Sequence, residues 1–111
     1  MANNVIDLAT FNELQDTVGA DFVIELVEAF FEEAPPMLAE LRSAFDSRDA
    51  ESFRRAAHSL KTNANTFGAA ALGAQAQHVE YGGLPDDLGV LDALDACYFE
   101  AIAALKEVAN G

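Results

Sequence analysis

The side chains with the greatest chemical reach gather in one run, Ala56-Ala57-His58-Ser59-Leu60-Lys61-Thr62-Asn63-Ala64-Asn65-Thr66-Phe67-Gly68. Phe53, Ala57, Leu60 and Ala64 recur at the i, i+4, i+7, i+11 spacing of a buried helical stripe. At about 100° per residue, His58 points well away from that stripe. Arg54 and Arg55 lie one turn before it, and Lys61, Thr62 and Asn65 follow on the same surface. A neutral imidazole ringed by cations and by hydroxyl or amide donors can accept and hold an anion. Histidine's reference pKa of about 6.5 leaves most of it neutral near pH 7, and nearby cations disfavour its protonation further. Lys61 is spaced to meet such an anion, Arg54 or Arg55 to attract it at longer range, and Thr62 to donate a hydrogen bond.

The elements that must hold this run are helices. The 111 residues are 51% hydrophobic and dominated by alanine and leucine, with three prolines and no tryptophan. That composition reads as one all-α domain spanning residues 1–111, with few of the alternations a strand needs. The formal net charge is −13, which excludes nucleic acid as a partner, because a phosphate backbone demands a basic surface. Five of the six bases, Arg42, Arg48, Arg54, Arg55 and Lys61, nonetheless fall within residues 42–61. The sequence therefore predicts one local excess of positive charge, at the histidine. Cys97 is alone, so neither a disulfide framework nor a thiolate metal cage is expected. The segment Met1-Ala2-Asn3-Asn4 has no basic region followed by an apolar run, and no stretch is long and apolar enough to span a membrane, which makes the cytoplasm the default location.

Taken in order, Thr10-Phe11-Asn12-Glu13 has the capping-box pattern and predicts a short first helix to about Val18, ended by Gly19. Asp21 is placed to cap a long second helix with an apolar face from Val23 to Phe45. Pro35-Pro36 interrupts it, but the stripe stays in phase, so one kinked helix is expected rather than two. Asp49 is placed to start a third helix, which carries His58 to about Phe67. Gly68 supplies the left-handed residue that ends it. A fourth helix, about Ala69 to Tyr81, is rich in small residues suited to close packing. A fifth runs from about Asp86 to Ala109 with a stripe of Leu88, Leu91, Leu94, Tyr98, Ile102, Leu105 and Val108. Short loops make neighbours antiparallel, giving an up-down four-helix bundle with a short additional N-terminal helix.

Ala57-His58-Ser59-Leu60-Lys61, then Ala64-Asn65, Phe67-Gly68-Ala69 and Leu72, resemble the signature of the histidine-containing phosphotransfer (HPt) domain. Phe30-Phe31-Glu32-Glu33-Ala34-Pro35 and the Leu38 to Leu41 continuation are similar to the helix before it. The resemblance implies a phosphocarrier without kinase activity of its own. Such a domain takes a phosphoryl group from an aspartate on a receiver domain, usually of a hybrid sensor kinase, and passes it to an aspartate on a response regulator. It implies His58 as phospho-acceptor, Lys61 as the cation beside it and Gly68 as the helix stop. It implies no cofactor on this chain, Mg²⁺ being expected on the receiver domain.

Two positions depart from the family. Thr62 stands where glycine or serine often follows the lysine. Several members place a glutamine on the next helix against the phosphohistidine, and counting from His58 puts Glu80 there. A carboxylate facing the phosphoryl group would repel it; accepting the imidazole N–H, it would fix the tautomer. Gln77, one turn earlier, is the other candidate for the amide role. His78 is expected to be solvated, and Asn63 and Asn65 can equally be plain exposed positions. Phe11, Leu14, Phe22 and Ile24 are candidates for partner docking, although most also suit a core. A monomer is the expectation. The competing reading is a non-catalytic helical interaction module whose surface histidine is incidental. An acyl carrier fails because Ser59 is mid-helix, and a metal or haem site on His58 and His78 lacks ligand spacing.

Overall fold

A computed structural model describes residues 5–110. Within them the chain forms α1 (Leu8–Val18), α2 (Ala20–Ser47), α3 (Ala50–Thr66), α4 (Ala70–Gly82) and α5 (Gly89–Asn110), and no strand. Helices α2 to α5 pack each against the next, α5 closes back onto α2, and α1 lies against α2 and α3. This is the up-down bundle with an added N-terminal helix that the apolar stripes predict. Met1–Asn4, read above for targeting signals, lie outside the described residues.

The stripes explain the packing. Val23, Val27, Phe30, Ala34, Leu41 and Ala44 of α2 are buried, as are Phe53, Ala57, Leu60 and Ala64 of α3. Leu72, Ala76 and Val79 of α4 and Leu91, Leu94, Tyr98 and Leu105 of α5 complete the core. Leu88 does not join them; it precedes the first turn of α5 and is exposed. α2 continues through Pro35 and Pro36 as one helix. Both prolines lie on its exposed side, so the buried face keeps its phase across them. Cys97 is a free thiol packed half-buried against the core, where burial pushes its pKa up.

Three boundaries differ from the sequence reading. Asp7, not Thr10, caps α1: its carboxylate accepts from the Ala9 N–H and from the Thr10 hydroxyl. A carboxylate is the stronger acceptor, and it draws Thr10 into the first turn. Asp21 sits inside the first turn of α2, and the cap is Gly19, whose φ of 96° suits a residue without a Cβ. α5 starts at Gly89, later than Asp86, because the Asp87 carboxylate accepts from the Gly89 N–H and holds the preceding turn. Asp49 caps α3 as predicted, accepting from the Ser52 N–H and hydroxyl.

The α3–α4 turn is tightly fixed. The Phe67 and Ala69 N–H groups both donate to the Ala64 carbonyl, and Gly68 N–H donates to Asn65. Gly68 has φ +75°, and a Cβ there would meet the Asp7 carbonyl oxygen at 2.6 Å. The Asp7 N–H donates to the Gly68 carbonyl at 2.6 Å, so the start of α1 is pinned onto this turn. Gly68 therefore does more than stop a helix; it is the place where the N-terminal segment docks. Among the described residues no helix is long and apolar enough to cross a membrane.

Candidate functional site

His58 projects from α3 with its side chain 55% exposed, and its Nδ1 lies 2.9 Å from Oε2 of Glu80 on α4. The turn sets this pairing. α3 and α4 are antiparallel about Ala69, and residues equally far before and after it face one another. His58 and Glu80 form one such pair, and Asn65 and Gly73 another. Gly73 makes the second approach possible, since a Cβ there would collide with the Asn65 side chain. Close contact between the two helices then carries the Glu80 carboxylate under the His58 ring.

Glu80 is buried, and a buried carboxylate is costly unless it is paired. The Lys61 ammonium supplies the pairing, 2.9 Å from Oε1. Lys61 holds the Glu80 carboxyl below the usual carboxylate range, burial works against this, and the His58 contact adds to it. Reciprocally, Glu80 holds the Lys61 ammonium above its ordinary value. The Lys61 ammonium also sits 5.3 Å from the centre of the exposed Tyr81 ring, within cation–π range.

An ionised carboxylate can only accept hydrogen bonds. Glu80 therefore selects the tautomer of His58 with the proton on Nδ1, which leaves the lone pair on Nε2. The result is a half-exposed imidazole held by one nitrogen and nucleophilic at the other.

With this geometry in view, residues 25–107 match the family model of the Hpt domain. The chain belongs to the Hpt-domain family. It is 33% identical over 63 residues to Sensor protein TorS of Escherichia coli (strain K12), a stretch that is 57% of this chain and 7% of TorS. The chain thus corresponds to a small part of that relative. No solved structure matches it. Family and relative together make this Hpt domain a phosphotransfer module of the two-component type. The matched stretch begins within α2, so α1 lies outside it.

Within the Hpt domain the predicted site residues separate into those that meet and those that do not. His58, Lys61 and Glu80 come together. Gln77 does not reach His58; it lies on the outer side of α4, lining an open groove of about 510 Å³ with Ala74, His78, Tyr81 and Gly82. Glu80 thus makes the imidazole contact for which Gln77 was the other candidate. Lys61 points at Glu80 rather than standing free beside Nε2. Thr62 is exposed one turn beyond His58, and Asn65, two turns on, packs over Gly73. Asn63 donates to the Ser59 carbonyl of its own helix, and His78 is exposed as expected.

The cluster of bases is largely spent on partners. Arg42 ties α2 to α5 through Asp92 at 3.0 Å and Asp95 at 2.6 Å. Arg48 donates to the Pro85 carbonyl and stacks over Phe45. Arg54 pairs with Glu51 at 3.7 Å. Among the described residues Arg55 makes no ion pair; it lines a second groove with Met37, Glu40, Ala56 and Ser59, on the α2 side of the histidine.

The docking candidates also shift. Phe11 is fully buried and Leu14 half-buried, whereas Phe22 and Ile24 are exposed. Met37 lies beside Asn63 and Ser59 in the α2–α3 pairing. Phe22 is fifteen residues before Met37, so it stands about 22 Å further along α2. Sequence reasoning missed Tyr81, whose only signal was its place next to Glu80. Among the described residues no three His, Cys, Asp or Glu side chains gather as metal ligands.

Proposed function

We propose that this Hpt domain is a histidine phosphocarrier and that His58 is its phospho-acceptor. The observation that carries the reading is the imidazole held at Nδ1 by Glu80, which presents Nε2 as a nucleophile on an exposed surface. The donor is an aspartyl phosphate on a receiver domain. The Nε2 lone pair attacks phosphorus, the P–N bond forms, and the P–O bond to the aspartate breaks, returning its carboxylate. Transfer onward to the receiver of a response regulator is the reverse step. The likeness to a sensor protein supports a hybrid histidine kinase as the upstream partner.

On this reading the chain has no kinase activity, and the Mg²⁺ used in transfer is held by the receiver's own acidic pocket. Lys61 secures Glu80 and adds positive potential near the phosphoryl group. Arg55, which makes no ion pair among the described residues, is the base best placed to attract the acidic receiver. Gly68 fixes the turn, and Thr62, Asn65, Arg54 and Gln77 act at most at the margin. A monomer working in the cytoplasm completes the reading.

The test is incubation with a receiver domain carrying labelled phosphate on its aspartate. Label should move to this chain in an acid-labile, base-stable form and be absent from His58→Gln. Label that persists in His58→Gln would overturn the assignment. Transfer failing in both proteins while partner binding survives would favour the interaction-module reading.

A further inference from the structure

We infer that Glu80 keeps the proton on Nδ1 of His58 after the phosphoryl group has arrived, making the phosphohistidine of this chain a readily discharged one. The inference rests on the phosphocarrier reading and concerns the lifetime of the same site's charged state.

When Nε2 carries phosphorus, Nδ1 has two options. Without a proton, the ring is neutral and Nδ1 presents a lone pair. With the proton, the ring is an imidazolium. An amide side chain at this place can suit either, because it can donate to the lone pair or accept from the N–H. An ionised carboxylate can only accept, so at 2.9 Å from Nδ1 it favours the protonated form and penalises the other. The protonated form is the better leaving group. An attacking carboxylate or water oxygen forms the new P–O bond, the P–N pair returns to Nε2, and the ring departs as neutral imidazole with its proton still on Nδ1. From the unprotonated form, the ring would have to leave as an imidazolate anion. In charging and discharging alike, the ring then has no proton to move.

Among the described residues the charged and titratable groups around the ring are few. Glu80 of α4 touches it, and Lys61 of α3 stands behind Glu80 and tempers its pull. Arg54 and Arg55 lie one turn back on α3, Arg54 already paired with Glu51. Glu40 of α2 lines the groove with Arg55, and His78 and Tyr81 line the α4 groove. α1 meets α3 at the far end, by Gly68. Glu80 is the one of these that contacts Nδ1.

The experiment charges the chain with phosphoramidate, which transfers phosphorus to imidazole with loss of ammonia and needs no partner. Phosphorus NMR then follows the resonance and its decay from pH 5 to 9, in the wild type and in Glu80→Gln. The expected result is a lower titration midpoint in Glu80→Gln and a phosphohistidine that decays about tenfold more slowly at pH 8. Equal midpoints and equal decay would overturn the inference while leaving the phosphocarrier reading intact. No phosphoryl group on His58 in the wild type would overturn that reading and the inference with it. Should Glu80→Gln not fold, Glu80→Asp serves, since it draws the charge back by one methylene. A partly lowered midpoint supports the inference and an unchanged one overturns it.

Discussion

Oε2 of the buried Glu80 lies 2.9 Å from Nδ1 of the half-exposed His58, so the imidazole ring is gripped from the protein side and open on the other. Nitrogen-15 NMR of the unphosphorylated chain with its imidazole neutral should show the proton on Nδ1. In Glu80→Leu the acceptor is gone, and the ring should revert to a mixture in which Nε2–H is substantial. A wild-type ring with its proton mainly on Nε2 would contradict the assigned tautomer.

The Glu80–Lys61 pair gives stability a defined pH dependence. Glu80 is held below its unfolded value of about 4.3, so its contribution is present above that value and is lost as pH falls through the lower folded one. Lys61 is held above its unfolded value of about 10.4, so its contribution is present below that and is lost as pH rises through the higher folded one. Denaturant titrations should therefore show the stability difference between wild type and Glu80→Gln shifting against the wild type below about pH 4. A difference independent of pH down to 3 would remove the pair from the acid limb.

Arg42 bridges α2 to two aspartates of α5 on the bundle surface. Arg42→Met should cost less than about 1 kcal/mol, because water and ions screen the pair. The loss should shrink in 1 M salt, where the screening length is about 3 Å. A loss insensitive to salt would assign the effect to the packing of the arginine stem.

Gly68 combines a left-handed φ with a neighbour that leaves no room for a Cβ. Gly68→Ala should destabilise by about 1–2 kcal/mol from the backbone conformation alone, with more from the clash against Asp7. Urea unfolding measures it. Amide exchange should show residues 7–11 losing protection first, since their anchor is the Gly68 carbonyl. Equal protection there in both proteins would count against the docking role of this turn.

Tyr81 is 71% exposed and stacks near the Lys61 ammonium. A large aromatic ring in that state suits a partner-contact role. Tyr81→Ala should raise KM for transfer with a receiver several-fold while leaving the melting temperature nearly unchanged. An unchanged KM would confine the docking face to the α2 side of His58, around Arg55 and Met37.

The bundle was legible because alanine, leucine and phenylalanine recur at helical spacing with few exceptions, and because Asp49 and Gly68 mark their boundaries locally. Thr10 misled because Asp7, three residues earlier, is the stronger acceptor and takes both the Ala9 N–H and the Thr10 hydroxyl itself. The site was half legible. His58 and Lys61 lie three apart on one helix, and their shared face follows from that spacing. What Lys61 points at does not, since its partner is on another helix. The same holds for the supposed excess of positive charge. Asp92 and Asp95 are fifty and more positions from Arg42, and only the folded bundle brings them together. The choice between Gln77 and Glu80 depends on how α3 and α4 slide past each other, and the tight turn at Ala69 decides that.

That turn has an implication for how the chain tolerates change. Because His58 and Glu80 are equidistant from Ala69, the site is addressed by counting outward from a hinge. One residue inserted between Ala69 and Glu80 would rotate the carboxylate by about 100° and displace it by about 1.5 Å, delivering another side chain to the imidazole. Substitutions can accumulate over much of α4 without touching the chemistry, whereas a single change of length cannot.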